Sequence, residues 1–173
     1  MVVRFIQNLF WTKQRVSRFF SQDGFDRIEN AVKDAEKGHR AEIKVVIEGG
    51  MPTYKIMLGV TSAQRARELF TTEKIGITAG RTGILVYILM AERRIEILSD
   101  HSVVVSSGTL NNWTKLFTSR IHSDSNSSKN LNQRILYSVI EVLNDIGNYC
   151  RDHLCDINSP DIANEICDKP KII

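Results

Sequence analysis

The 173-residue sequence is short of covalent staples and chain breakers, with three cysteines and three prolines. Cys150, Cys155 and Cys167 lie near the C-terminus, and an odd number at irregular spacing is no disulfide framework; it points to a reducing compartment. His153 between the first two invites a zinc site, yet Cys150, His153 and Cys155 follow no standard ligand spacing. Long apolar runs are missing too: the longest, Ile84–Ala91, is strand-sized against the ~20 residues of a membrane-spanning helix. Nor does one sign of charge dominate. The 23 Lys+Arg against 20 Asp+Glu leave +3, too little to mark a nucleic-acid protein. These absences exclude a disulfide scaffold and an integral membrane protein, and 42% hydrophobic residues exclude a disordered chain. What is there is an ordinary globular composition of one-domain length, enough to bury roughly 70% of the unfolded surface.

Residues 1–22 carry Arg4, Lys13, Arg15 and Arg18 and no acid. Val2, Phe5, Ile6, Leu9, Val16 and Phe20 recur at helical spacing, with Phe10, Trp11 and Phe19 widening the apolar side. Polar interruptions at Arg4, Gln7 and Asn8 rule out a signal peptide. A basic amphipathic helix of this kind has two uses: docking on its own domain, or contacting a membrane surface or partner. Gln22–Lys37 reads as a second helix, with Phe25, Ile28, Val32 and Ala35 inward and Gly38 as the stop.

Glu42–Glu48 (EIKVVIE) is a strand bounded by Gly49-Gly50-Met51-Pro52. Thr53–Val60 fits either a short strand or a loop. Thr61-Ser62-Ala63-Gln64 has the capping-box form and opens a helix to about Lys74. Gly83–Met90 (GILVYILM) is apolar enough for a strand covered on both faces. A three-residue link joins it to Arg94–Ser99, an edge strand, as an antiparallel hairpin. Leu110–Ile121 and a segment from Leu131 to Tyr149 read as helices, separated by the polar loop His122–Lys129. Three units result: a basic helix over 1–21, an α/β domain over 22–155, and a mobile tail over 156–173. The order α-β-α-β-β-α-α predicts a mixed sheet with helices on its faces, its first two strands parallel and joined right-handedly. The starts of the parallel strands and the end of the hairpin strand then share one sheet edge. Glu42, Arg81, Thr82 and Asp100 converge there.

Gly83–Asp100 (GILVYILMAERRIEILSD) resembles the signature of the TPM domain family: an apolar strand opening with Gly, a hairpin strand of the form R-x-E-I, then an acid. His39-Arg40-Ala41-Glu42-Ile43 is similar to the family's first-strand entry, Ala66-Arg67-Glu68-Leu69-Phe70 to its middle helix, and Trp113 to its later helix. The basic aromatic N-terminus is similar to that of a short bacterial branch. The resemblance implies an α/β/α sandwich with a Rossmann-like mixed sheet of about four strands. It implies little fixed chemistry: some members are described as acid phosphatases, some bind divalent cations, and many relatives serve membrane-complex assembly or repair. Members often carry Asp-Asn or Asn-Asn before the Gly of the second strand, where this chain has Arg81-Thr82. Asp-Arg-Gly-Ile after the hairpin is replaced by Asp100-His101-Ser102-Val103. Both departures fall on the converging residues.

A hard-cation site for Ca or Mg would use Glu42 and Asp100 as carboxylates with the Thr82 hydroxyl. Arg81 works against it, because a guanidinium neutralises the same carboxylates, and a salt bridge at the sheet edge is the simpler expectation. If phosphate bound there without metal, Arg81 would clamp it and His101 could donate a proton. Other phosphatase chemistries fail on the sequence: no Cys is followed five residues on by Arg, and no Asp-x-Asp pair occurs. Gly76-x₃-Gly80-x₂-Gly83 is neither a dinucleotide fingerprint nor a P-loop. Asp124, Asn126 and Ser128 copy the start of a calcium loop but lack its Gly and final Glu. Arg65, Arg67, Lys74 and Arg81 are interleaved with acids and read as a solvated face rather than a nucleic-acid surface. His39 follows a helix-ending Gly, where a cation suits the helix dipole. The sequence therefore reads as a non-catalytic TPM-like module that needs no cofactor. It would contact a protein or membrane surface through Arg4, Phe5, Leu9, Trp11, Lys13, Arg15 and Arg18, in the cytoplasm or peripherally on a membrane. Its alternative is a weak divalent-metal-dependent phosphatase at the sheet edge.

Overall fold

Two strands with no exposed position organise the chain. In the computed structural model, which describes residues 2–78, 80–122, 131–154 and 165–173, β1 (Glu42–Glu48) and β2 (Gly83–Leu89) are buried at every residue and pair in parallel, Glu42 opposite Gly83 through Glu48 opposite Leu89. β3 (Arg94–Ser99) returns antiparallel to β2, and β4 (Lys171–Ile172) pairs parallel with β1, giving the order β3-β2-β1-β4. A parallel pair needs a covered crossover, and here it is α3 (Thr53–Met57) and α4 (Ser62–Thr72), followed by the 3₁₀ turn Ile75–Ile77. The capping box at Thr61 and Gln64 forms as the sequence indicates. Thr53–Val60 is neither strand nor plain loop: Pro52 at the N-cap starts one short helical turn.

The two faces are unequal. Ile43, Val45 and Ile47 of β1 join Ile84, Val86 and Ile88 of β2 and Ile95 and Ile97 of β3 on one face. That face is covered by α2 (Lys13–Ala35), α5 (Ser107–His122) and α6 (Leu131–Leu154), with Trp113 and Phe117 inward. The other face packs Val46, Leu85, Tyr87 and Leu89 against Ala66, Leu69 and Ile75. Side chains alternate along a strand, so Glu42, Lys44 and Glu48 all project onto this second, thinner layer.

Both termini differ from the sequence expectation. The N-terminal helix is two pieces: α1 (Val2–Leu9) ends before Thr12, which caps α2 by accepting from the Arg15 N–H. A break at Ser21, whose φ is 57°, interrupts α2. Residues 165–173, expected within a mobile tail, instead run back along the sheet and end in β4 at Lys171–Ile172. Weak periodicity hid them because few side chains hold them. Lys44 Nζ donates to the carbonyls of Cys167 (2.6 Å) and Lys169 (3.0 Å), Glu42 Oε2 accepts from the Ile166 N–H (3.0 Å), and Ile173 N–H donates to the Ile47 carbonyl. Cys155 and the Asp124–Ser128 segment lie outside the described residues.

Candidate functional site

At the starts of the parallel strands the predicted residues do meet on one layer. Glu42 sits opposite Gly83, and Asp100 follows Ser99, which pairs with Ile84, so the two carboxylates flank Gly83 from either side. They are not joined into a site. A side chain on Gly83 would collide with the Ile75 carbonyl, so backbone of the 3₁₀ turn fills the space over the middle strand. Glu42 turns outward to the Ile166 N–H; burial raises its carboxyl, and that hydrogen bond opposes the rise. Thr82 gives its hydroxyl proton to the Arg40 carbonyl at 2.7 Å.

Asp100 is buried, with Oδ1 accepting from the His101 N–H (2.7 Å) and facing the His101 ring Nδ1 (3.0 Å). Burial pushes its carboxyl up, but the His101 bonds and the nearby Arg81 charge outweigh that and hold it below the usual value. Its Oδ2 is buried and accepts no hydrogen bond among the described residues. Arg81 is exposed and forms no ion pair among the described residues, so the expected salt bridge is not there. Its φ of 48° shows why: the residue serves a left-handed turn before β2. No group of three His, Cys, Asp or Glu among the described residues could hold a metal ion.

The opposite end of the strands carries a network that the sequence reading missed. Glu48 is buried and takes two bonds from Arg65, Nη2 at 2.9 Å and Nε at 3.1 Å, plus the Tyr87 hydroxyl at 2.6 Å. Arg65 continues to Glu68, which also accepts from Lys55 at 2.6 Å. Burial, reinforced by the Glu48 charge, pushes the Tyr87 hydroxyl far up, so it stays a donor. The available signal was a polar period of two in β1 facing a lone Tyr in an apolar strand.

Past that network lies α1. Met51 N–H donates to Asn8 Oδ1 at 2.7 Å, Arg4 Nε pairs with Glu92 at 2.7 Å, and Arg4 Nη2 reaches the Val60 carbonyl at 2.7 Å. Glycines 49 and 50 allow this approach: a Cβ on Gly49 would lie 2.6 Å from the Trp11 carbonyl, and one on Gly50 would collide with that of Asn8. The helix is docked through Arg4 and Asn8 with Phe5 between them, while most of its apolar side stays outside. Arg4, Phe5 and Asn8 face the domain, whereas Val3 (69% exposed), Ile6, Leu9 and Phe10 (62%) face out. Beside it α3 exposes Tyr54, Met57 (72%) and Leu58 (76%). Of the contact residues named from the sequence, Leu9, Lys13, Arg15 and Arg18 are exposed; Arg4, Phe5 and Trp11 are partly buried.

Elsewhere, Cys150 is buried in the core and its thiol is pushed up to about 12, which leaves it inert. His153 stacks on Tyr149 and accompanies no metal group among the described residues. His39 Nε2 donates to the Ala35 carbonyl and Nδ1 accepts from the Ala41 N–H, a structural pairing that suits a neutral ring.

A mixed four-stranded sheet between helical layers, with a short helix laid across the ends of its parallel strands, defines an α/β/α sandwich. The chain matches the TPM domain over residues 15–123, and it belongs to that family. Its fold is similar to the NMR structure of the BA42 protein from the psychrophilic bacterium Bizionia argentinensis. The TM-score is 0.67 at 18% identity, covering 89% of this chain and 95% of that one. No curated protein matches the sequence.

Proposed function

We propose that this TPM-domain chain is a non-catalytic module that docks on an anionic membrane surface through the face shared by α1 and α3, in the service of a membrane-associated complex. The observation that carries this reading is the inverted seating of α1. A helix packed only for stability buries its apolar side; this one hydrogen-bonds through Arg4 and Asn8 and presents Val3, Ile6, Leu9 and Phe10. Exposed apolar residues of two neighbouring helices make a patch of the kind that marks an interaction surface. Charge chooses the occupant: Arg4 is spent on Glu92, but Lys13, Arg15 and Arg18 are exposed and the first 22 residues hold no acid, the combination that favours anionic headgroups. No described helix is long and apolar enough to cross a membrane, so the contact is peripheral.

Sedimentation with phosphatidylcholine vesicles, with and without phosphatidylglycerol, tests it. The wild type is expected to pellet with the anionic vesicles, and Val3→Ser/Ile6→Ser/Met57→Ser to stay in the supernatant. Recovery of the wild type in the supernatant with both vesicles overturns the reading. So does a dimer, seen by light scattering, that the triple variant disperses; a second copy would then cover the face.

A second reading, a divalent-metal-dependent phosphatase at the Asp100 edge, has one observation in its favour, the unpartnered Oδ2. The donor set does not fit it: Glu42 and Thr82 are committed to backbone groups, and Ile75 fills the place between the carboxylates. Calorimetric titration with calcium and magnesium decides it, because saturable binding abolished by Asp100→Ala would restore it.

A further inference from the structure

Between the α1–α2 link and the tip of the β2–β3 hairpin lies a cleft of about 580 Å³. We propose that this cleft is a phosphate-headgroup site, with Arg15 and Arg93 as its cations and the Trp11 ring as its wall. That the phosphate belongs to a lipid rests on the docking reading above; the cleft's chemistry does not.

Four features converge on it. Arg15 lies over the Trp11 ring at 4.7 Å and donates to the Phe10 carbonyl at 3.1 Å, so its guanidinium is held at the rim rather than waving in solvent. Arg93 is exposed at the opposite lip, and among the described residues its side chain has no hydrogen-bond or ion-pair partner. The acid on the floor, Glu92, is already matched by Arg4 and Asn8, which leaves the two rim cations uncompensated. Aromatic Phe10, Trp11 and Phe19 supply an apolar lining that inorganic phosphate does not need but a glyceryl or acyl substituent would use. Two guanidiniums lining one cleft from different elements suit a tetrahedral anion, since each can donate two parallel N–H bonds.

The backbone at the lip agrees. Arg93 holds φ 51°, a left-handed conformation that glycine adopts without strain. Arg93→Gly therefore removes the cation while relieving the strain of that conformation. Its thermal unfolding curve, compared with the wild type, checks that this variant folds.

Titration of the full chain with glycerol 3-phosphate, followed by tryptophan fluorescence, tests the site. Trp11 lines the cleft whereas Trp113 is buried in the core, so the response is assigned to Trp11 by its loss in Trp11→Phe. Saturable change is expected with glycerol 3-phosphate and none with glycerol. Arg93→Gly and Arg15→Gln are each expected to weaken it by about tenfold. Phosphatidylglycerol vesicles should show the same Arg dependence. No saturable response to glycerol 3-phosphate overturns the proposal, as does a response that neither Arg variant weakens. Vesicle binding that Val3→Ser/Ile6→Ser/Met57→Ser abolishes and the Arg variants leave intact overturns the cleft alone. Arg-dependent binding of glycerol 3-phosphate without vesicle binding keeps the cleft as a site for soluble phosphate esters and removes the membrane reading.

Discussion

The two ends of the parallel strands present the same residue types with opposite outcomes. At the C-terminal end Glu48 has three donors, its partner Arg65 is paired again, and α1 closes over the edge. At the N-terminal end Asp100 keeps one buried oxygen without a donor among the described residues, and Arg81 beside it is exposed and pairs with no acid among them. In open α/β sheets the crevice outside the carboxyl ends of the strands is where ligands usually sit. Here that crevice is filled by the chain's own Arg4 and Asn8, which bond the Val60 carbonyl and the Met51 N–H. A saturated network is a structural joint; an unsaturated one is where chemistry could still be added.

Truncation at the two ends should break this symmetry most sharply. Glu48→Ala leaves the Tyr87 hydroxyl without its acceptor and Arg65 with Glu68 alone, and about 3 kcal/mol of stability should be lost in denaturant unfolding. Asp100→Ala removes one imperfectly satisfied acid and should cost about 1 kcal/mol or less in the same experiment. Equal costs would mean that the two ends are built alike.

Gly50→Ala sharpens the role of α1. Its methyl collides with the Asn8 carbonyl, so roughly 2–3 kcal/mol should be lost. Limited proteolysis should then cut residues 2–12 before the rest of the domain.

The third effect is one of pH. Burial, with the Asp168 and Glu42 charges added, raises the Glu36 carboxyl to about 8, against the bond from the Ile43 N–H. A raised value in the folded state means that the unfolded chain releases this proton first. Stability from this group is therefore complete below about pH 4.5 and declines as pH rises to about 8. Glu36→Gln keeps an acceptor for Ile43 and should flatten that decline, gaining on the order of 2 kcal/mol at pH 8. An unchanged slope between pH 5 and 8 would place the titration elsewhere. Smallest of all, Arg81→Asn should raise stability by about 0.5–1 kcal/mol, because Asn tolerates the left-handed turn that Arg81 occupies.

Much of the architecture was legible because periodicity reports burial. The continuous apolar run of β2, the capping box at Thr61 and the hairpin link all described local geometry, and the parallel pairing of β1 with β2 followed from the handed crossover. The convergence of Glu42 with Asp100 on one edge was legible for the same reason. Sequence could not show what lies between them, since the Ile75 carbonyl is main chain and carries no residue signature. The orientation of α1 was also hidden. Its apolar spacing predicts which residues share a side, whereas the domain grips it through Arg4 and Asn8, two polar positions that looked like interruptions. β4 escaped because its pairing with β1 is main chain to main chain, and the carbonyls just before it are held by Lys44, a contact 123 to 125 residues away.

That last contact has a consequence for synthesis. β1 leaves the ribosome long before the strand that covers its outer edge, and at ~5–20 residues per second the interval is roughly 6–25 s. Throughout it Val46 and Ile47, which β4 later pairs with, present an unpaired strand edge, the feature that templates aggregation. Lys44 sits two residues before that edge. Before the C-terminal carbonyls arrive its charge keeps foreign strands away, and once they arrive the same ammonium group fastens them in place. One side chain thus guards the nascent sheet and then closes it.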